Sequence, residues 1–383
     1  MKITKLSLAT IIAIGSFSCA NAQSLEDAIK NVEISGTAAY RYNDYQDMNV
    51  SSKDANNNYK VATNLKSSIN DDLTFNSRVI IGDNTNPASL NTNGADANAS
   101  FGLSEANFAY SGIQNTVVTA GKQGISTPFT IDRDAMGNEQ TGTGLVATTN
   151  LGMLSLTGGY FNQTNLSSTN GEAPITSGTI TGGEDVYFAT ANLTIENVSL
   201  DSTFINLKDT LDGYTIGAKA KFDIAGVALN PYARYSSIDF DNYNKDNTLW
   251  KVGMDAQMGI FGAYVAYGET NEEGGETGLD YSSDTGMDDH WRVTLTGISD
   301  ASVVYASVNT QVTDKVNIAL KYSDLNAGSM SNDKDQNEIY GQASYQMSKN
   351  FQYIMLDLDS MIIMEILQTW ADFICNTLSN LKD

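Results

Sequence analysis

The chain has 383 residues, of which 41% are hydrophobic and 17% are charged, and its formal net charge is −23 at pH 7. This composition excludes a disordered chain and a bundle of membrane-spanning helices, and the acidic balance disfavours binding to nucleic acid. The two cysteines, Cys19 and Cys375, lie near the two ends, so the long middle of the chain is free of thiols.

The first 22 residues have the pattern of an export signal. Two lysines precede an apolar run over residues 6–17, and an Ala-Asn-Ala motif at 20–22 supplies the small-x-small cleavage site. The apolar run is much shorter than the about 20 residues that a membrane-spanning helix needs. We therefore predict that residues 1–22 are removed on export and that the mature chain begins at Gln23.

The body of the chain alternates apolar and polar residues with a period of two. Over residues 32–43, Ile34 and Tyr40 share one face while Glu33 and Arg41 share the other. Such alternation predicts strands of about 9–11 residues with one apolar and one polar face. The same pattern recurs at residues 59–69, 73–82, 198–207, 214–222, 227–236, 249–258, 261–269, 316–323 and 338–347.

The connections between these strands alternate between short and long. Short turns recur at residues 111–115, 150–152, 195–197, 223–226, 258–260, 313–315 and 348–350. Long polar loops lie at residues 43–57, 124–140, 163–185, 238–247, 270–301 and 325–336. Short periplasmic turns against long outer loops are typical of an outer-membrane barrel. A soluble β-sandwich or solenoid also alternates apolar and polar residues, but rarely alternates loop length so regularly.

We therefore predict an all-β, transmembrane, antiparallel β-barrel. The pattern gives strands through Met347 and a further strand opening at Phe351. The alternating stretch at residues 290–296 is assigned to a loop, because a spanning strand there would reverse the order of long and short connections. Three segments follow: a signal peptide at 1–22, a barrel at 23–353, and a tail at 354–383.

The tail departs from the barrel pattern. Its residues 356–381 are apolar with a helix-like spacing. The degenerate genetic code allows residues 360–380 to be read in another frame as an acidic Asn-Gly loop, followed by an alternating strand that ends in Phe. We hypothesise a frameshift near residues 353–355 that removes the last one or two strands. Residues 356–381 should then be helical or disordered, with an imperfectly closed seam near residues 32–43.

Two segments carry a family resemblance. Residues 24–36, SLEDAIKNVEISG, followed by Tyr-Arg-Tyr at 40–42, are similar to the mature start of the Campylobacter-type major outer membrane proteins. Gly-Lys-Gln at 121–123, before Thr-Pro at 127–128, resembles their fifth strand and the constriction loop that follows it. The resemblance implies an 18-stranded, trimeric, cation-selective porin that can hold calcium in its constriction.

Residues for catalysis do not converge in this sequence. His290 is the only histidine, so a Ser-His-acid site has a single candidate base, and we expect this histidine to be a solvated loop residue. No Gly-rich phosphate loop and no Cys/His metal spacing occurs. We predict that the chain is not an enzyme and requires no cofactor. The carboxylates of Glu272, Glu273 and Glu276 are only a weak signal for Ca²⁺.

A pore selects by the charge that lines its narrowest section. The loop at residues 124–140, folded inward, would bring in Asp132, Arg133, Asp134 and Glu139. The polar faces of the first three strands carry Arg41, Lys60, Lys66 and Arg78. An acidic loop facing a basic wall would set a transverse field across the constriction. The alternative is that these are scattered interior charges, since charged residues on barrel strands tend to face inward.

The sequence therefore predicts an outer-membrane general diffusion porin that passes small hydrophilic solutes. Acidic outer loops raise the local concentration of cations, so we expect cation preference. Outer-membrane lipid and lipopolysaccharide would surround a homotrimer. One alternative is a surface adhesin or receptor carried on a barrel. Another is a substrate-specific channel with an aromatic track, for which Tyr232, Tyr264 and Tyr340 on polar faces are too few.

Overall fold

The computed structural model describes residues 32–45, 54–82, 87–92, 99–169, 175, 179–241, 246–328, 331, 335–348, 351–356 and 361–369. These residues form one antiparallel sheet of 20 strands. Within the described part of the chain, no helix is long and apolar enough to cross a membrane. The predicted signal peptide at residues 1–22 lies outside the described residues.

In the part of the chain that the structure describes, the strands follow one another, and a short 3-10 helix, Leu166–Thr169, comes after β8. They are β1 (Val32–Tyr45), β2 (Asp54–Ser68), β3 (Leu73–Gly82), β4 (Ala88–Ser89), β5 (Ser100–Ile113), β6 (Thr116–Gly124), β7 (Thr141–Leu151), β8 (Leu154–Thr164), β9 (Val186–Ile195), β10 (Val198–Leu207), β11 (Leu211–Ala220), β12 (Phe222–Ile224), β13 (Val227–Phe240), β14 (Asp246–Met258), β15 (Phe261–Thr270), β16 (Ala301–Thr313), β17 (Val316–Ala327), β18 (Gln336–Ser348), β19 (Phe351–Leu356) and β20 (Met361–Thr369).

The pairing order gives a barrel-like sheet of 18 crossings. Strand β4 is a two-residue piece that pairs with β2, and β11 and β12 lie in succession against β13 as one crossing. Each remaining strand pairs with its neighbour along the chain. The all-β, antiparallel fold class is thereby confirmed, and so is the strand opening at Phe351.

The turns confirm the predicted alternation of short and long connections. Tight turns join β5 to β6, β9 to β10 and β12 to β13 at the predicted positions. The last of these places Ala225 and Gly226 at φ of 55° and 81°, the left-handed pair that a two-residue hairpin turn favours. Residues 290–296 form no strand and belong to the long connection between β15 and β16, as the order of connections predicts.

The two faces of the sheet differ in polarity. On β14, Trp250 and Val252 are exposed on the outer face, whereas Leu249 and Lys251, which alternate with them, are buried inside. A barrel strand in lipid alternates in this way, with apolar residues outward.

The hydrophobic core lies inside the barrel. It is formed where long connections pack against the inner faces of the strands. The connection between β8 and β9 contributes Leu166, Ile175 and Ile180, and the other two connections are residues 125–140 and 271–300. We call residues 125–140 the first inward loop and residues 271–300 the second inward loop. Phe129 of the first loop and Leu295 of the second are both fully buried. Full burial of each such side chain stabilises the fold by about 1.5–3 kcal/mol.

The structure corrects the expectation for the tail. Met361–Thr369 is a strand rather than a helix, and it pairs with β19 on one side and with β1 on the other. The seam with β1 covers Thr37–Tyr45, while the described residues include no β20 partner for 32–36. A strand paired on both sides satisfies backbone N–H and C=O groups that would each cost several kcal/mol unpaired in lipid. That requirement outweighs the helix-like spacing for Met361–Thr369, and the predicted loss of the last strands is wrong. Residues 357–360 and 370–383 of the predicted tail lie outside the described residues.

The seam register can be tested by cross-linking. Ala39 lies opposite Leu367, whereas Ile363 pairs with Asn43, about 14 Å further along the strand at about 3.4 Å per residue. In a background with both native cysteines replaced by Ser, A39C with L367C should cross-link with a short thiol reagent. A39C with I363C is the matched control and should not. Non-reducing electrophoresis of the folded protein reads the result, and equal behaviour of the two pairs would contradict the seam.

Candidate pore constriction

A bulge in β5 aims two adjacent polar side chains into the barrel. Arg78 of β3 pairs with Glu105, but the next pair joins Val79 to Leu103, so Ser104 is an extra residue. A bulge opposes two residues to one and redirects side chains. Ser104 and Glu105 are both buried and both contact the first inward loop. Sequence reasoning missed them.

The sequence does carry a signal for this bulge. The outward apolar residues of β5 fall at positions 101 and 103, then at 106, 108 and 110. The change from odd to even positions marks the extra residue, since strict alternation cannot change parity without one.

Glu139 of the first inward loop is held by three buried partners on the barrel wall. Its carboxylate accepts hydrogen bonds from Arg78 Nε at 2.9 Å and Nη2 at 2.6 Å, and from Ser104 Oγ at 2.7 Å. Lys60 Nζ lies 3.1 Å from Oε1. Burial alone would raise the pKa of Glu139, but the hydrogen bonds from Arg78 and the charge of Lys60 lower it. The carboxyl group is therefore ionised.

Further contacts hold the loop backbone and its charged tip. Lys60 Nζ donates to the carbonyl oxygens of Asp134 at 2.7 Å and Gly137 at 2.8 Å. Arg133 Nη2 donates to Glu105 at 2.8 Å. The loop after β6 thus reaches across to β2, β3 and β5, which confirms that it lies inside the barrel.

The second inward loop is joined to the first by backbone hydrogen bonds. Leu279 N–H donates to the Phe129 carbonyl at 2.8 Å, and Thr285 N–H donates to the Pro128 carbonyl at 3.0 Å. Gln140 Nε2 also donates to the Leu279 carbonyl at 2.5 Å. Sequence reasoning treated residues 270–301 as an outer loop only. Its signal is the set of apolar residues in a polar segment, Leu279, Met287, Val293, Leu295 and Ile298, all buried.

The wall beneath the second loop supplies its own anchors. Buried Lys251 donates to the Gly286 carbonyl, and Tyr264 donates to Asp289. Tyr232 and Tyr264 share a hydroxyl hydrogen bond of 2.7 Å, and Tyr340 packs edge-on against Trp291 and His290. These tyrosines therefore pack against the loop.

His290 is buried rather than solvated, which corrects the expectation from sequence. Its Nδ1 lies 2.7 Å from Ser323 Oγ, and its ring contacts Tyr305. Burial, with the nearby charge of Lys321, lowers the pKa of His290 to about 4, so the ring is neutral at pH 7. Ser323 is fully buried, so this pair offers no accessible nucleophile.

A cavity of about 420 Å³ lies between the two inward loops and the β1 wall. Its lining combines acidic, basic and aromatic side chains. They are Arg41, Asp134, Met136, Gly137, Asp280, Tyr281, Ser282, Asp288, Trp291, Arg292 and Thr294. Burial, with the neighbouring carboxylates of Asp289, Asp280 and Glu338, raises the pKa of Asp288 to about 6 despite a hydrogen bond from Thr294.

The predicted charged residues thus divide into three groups. Arg41 and Asp134 line the cavity. Lys60, Arg78 and Glu139 come together as a buried cluster that fixes the loop. Asp132, Arg133 and Lys66 lie elsewhere, as follows.

Asp132 packs beside Gly124 at the base of the loop, while Arg133 pairs with Glu105 and keeps about half of its side chain exposed. Lys66 pairs with Glu33 at 3.2 Å, both exposed, near the short turn after β2, and does not reach the loop. The Lys60–Arg78–Glu139 contacts change the predicted field. Lys60 and Arg78 share the single carboxylate of Glu139 in direct, buried contacts, so these three charges do not face the cavity. The charges around the cavity are those of its lining.

The described residues contain no group of three or more His, Cys, Asp or Glu side chains that could hold a metal ion. Calcium in the constriction remains an expectation from the family resemblance. No step of the function proposed below passes through calcium.

Comparison with known proteins places these features in context. The family model of the Campylobacter major outer membrane protein matches residues 1–379. OpdK of Pseudomonas aeruginosa, solved with vanillate, is 12% identical with a TM-score of 0.71, over 89% of this chain and 98% of that chain. OccAB4 of Acinetobacter baumannii is 15% identical with a TM-score of 0.68, over 88% and 98%.

A third structure, Pseudomonas aeruginosa OccK2 (OpdF) in complex with glucuronate, is 12% identical with a TM-score of 0.69, over 89% of this chain and 96% of that chain. At such identities the likeness shows the fold alone. A search of curated proteins found no match.

The buried cluster predicts a large effect of a small substitution. Glu139→Gln keeps the side-chain shape but leaves Lys60 and Arg78 buried without a counter-charge. Removing one partner of a buried ion pair costs about 3–5 kcal/mol, and we expect the free energy of unfolding to fall by that amount. Tryptophan fluorescence during urea unfolding in detergent measures it.

The matched control is Glu33→Gln, which breaks the exposed pair with Lys66. An exposed pair contributes at most about 1 kcal/mol, so this variant should unfold close to wild type. Equal destabilisation by the two variants would show that the Glu139 cluster does not hold the loop.

Proposed function

Because the chain belongs to the Campylobacter major outer membrane protein family, we propose that it acts as a general diffusion channel for small hydrophilic solutes that favours cations. Family and barrel together make it an outer-membrane porin. The proposal concerns what passes through it. A cleaved export signal, a homotrimer and contact with lipopolysaccharide complete the proposed picture.

One observation carries the proposal, the polar cavity between the inward loops. Both loops are fixed by buried hydrogen bonds, so the cavity between them has a defined lining. Three carboxylates, Asp134, Asp280 and Asp288, line it beside the two guanidinium groups of Arg41 and Arg292. Solutes that enter this cavity meet these charged groups, and a pore selects by the charge that lines its narrowest section.

Cation preference follows from the excess of negative charge. The lining has one more carboxylate than guanidinium group when all are ionised, and the whole chain carries a net charge of −23. A negative passage and its approaches raise the local concentration of cations. An adhesin or receptor would not need a negatively charged passage, because a barrel that only carries surface loops need not conduct solutes.

Reversal potentials under a KCl gradient test the preference. We expect cation selectivity that weakens as salt rises, since the field of the approaches is screened over about 10 Å at 0.1 M salt. Asp134→Asn should reduce the selectivity, while Asp314→Asn in the turn between β16 and β17 is the matched control and should not. Anion selectivity would contradict the proposal, and the absence of any conductance would favour the adhesin or receptor.

Asp288 adds a pH dependence. Its pKa of about 6 means that the carboxyl group is ionised above this pH and neutral below it. A pH of 7.5 lies about one and a half units above this pKa, and a pH of 5 lies about one unit below it. Lowering the pH from 7.5 to 5 therefore removes one negative charge from the cavity lining, and cation selectivity should fall. Asp288→Asn should show the low selectivity at both pH values. A wild-type selectivity unchanged across this range would rule out Asp288 as a lining charge.

A further inference from the structure

The cavity between the inward loops holds groups of both charges with two aromatic side chains. We propose that it is a transient binding site for small zwitterionic solutes, of the class of free amino acids and short peptides, with aromatic or apolar side groups favoured. This inference rests on the proposed function, since it names the solutes that the same passage takes best.

Mixed charge is the first argument. A cationic solute near this lining meets Arg41 and Arg292, and an anionic solute meets the three aspartates. A zwitterion places an ammonium group and a carboxylate a few ångströms apart, and it can satisfy both sets at once. Guanidinium groups suit the carboxylate end, because each carries five N–H donors in a planar fork and can serve a solute beside its protein partners.

The lining is held in place, which is the second argument. Asp134 Oδ1 accepts backbone hydrogen bonds from Met136 and Gly137, each at 2.7 Å. Asp280 Oδ1 accepts one from Ser282 N–H at 2.9 Å. The backbone N–H of Arg292 donates to both carboxylate oxygens of Glu338 at 3.2 Å. Groups fixed before a solute arrives need little ordering when it binds.

Size and the aromatic walls are the third argument. A volume of about 420 Å³ lies in the range of about 300–1,000 Å³ typical of small-molecule sites. Tyr281 and Trp291 both line it, and Trp291 is steadied by an edge-on contact with Tyr340 at 6.2 Å between ring centroids. Aromatic faces favour apolar and aromatic groups.

Three compounds that share one aromatic ring separate the charge classes: phenylalanine, phenethylamine and 3-phenylpropionate. In planar bilayers, each is titrated against the ion current through the wild-type channel at pH 7.5. We expect phenylalanine to reach half-maximal block at a concentration at least about tenfold lower than either singly charged compound, because it gains a second charge-assisted contact.

Variants locate the two ends of the solute. Arg41→Gln with Arg292→Gln should bring the half-blocking concentration of phenylalanine to that of phenethylamine. Asp280→Asn should bring it toward that of 3-phenylpropionate. Asp314→Asn is the control and should leave all three values unchanged. Phenylalanine amide, which lacks the carboxylate, repeats the comparison on the wild-type protein, so the test does not depend on any variant folding.

The outcomes are distinct. An ohmic, cation-preferring conductance that all three compounds block equally overturns this inference and leaves the proposed function standing. Tightest block by 3-phenylpropionate or by phenethylamine overturns it as well. Absence of conductance overturns the proposed function itself. A tenfold preference for phenylalanine that the paired arginine substitutions abolish supports the zwitterion site.

Discussion

Backbone hydrogen bonding in lipid is the constraint on which the rest of this structure depends. Each N–H and C=O group of a membrane strand must find its partner in a neighbouring strand, since the bilayer offers none. The pairing therefore runs from β1 through the chain and comes back to β1 at β20. A sheet that returns to its first strand leaves an interior that the chain must fill, and long connections fill it, chiefly the two inward loops.

The interior is held by a mixture of apolar packing and buried charge. Phe129 and Leu295 anchor the two inward loops among apolar side chains. Glu139 then fixes the end of the first loop to Lys60 and Arg78, where every charged group has a close partner. Buried charges are tolerated only when they are paired in this way. The open cavity is what remains between the loops after these demands are met.

The sequence predicted the parts of the fold that depend on local pattern. A period of two marks the faces of the strands, and turn residues mark where the chain reverses, so crossings and turns followed directly. The tail did not follow, because pairing with β1 is a contact between the two ends of the chain. A local spacing of apolar residues cannot report it. Isoleucines at 362 and 363 suit a strand as well as a helix.

The site was predicted only in part, because local sequence pattern does not report contacts between distant segments. Arg41 and Asp134 were named from their positions on a polar face and in a charged loop. The charged partners of Glu139, Lys60 and Arg78, were named too, but as pore-lining charges. The aspartates of the second inward loop and the Ser104–Glu105 bulge depend on contacts between distant segments. Their sequence signals are the shift of the apolar residues of β5 from odd to even positions and the apolar residues within a polar loop. These signals can be interpreted only once the barrel is known.

The link between the two inward loops has a consequence for how this channel can diverge among relatives. Leu279 and Thr285 donate through their backbone N–H groups, and Phe129 and Pro128 accept through their carbonyl oxygens. Hydrogen bonds between backbone groups are retained through most side-chain substitutions. The lining residues can therefore be exchanged one at a time while the frame that sets the passage is retained, and a lineage can acquire a new solute preference without rebuilding its pore.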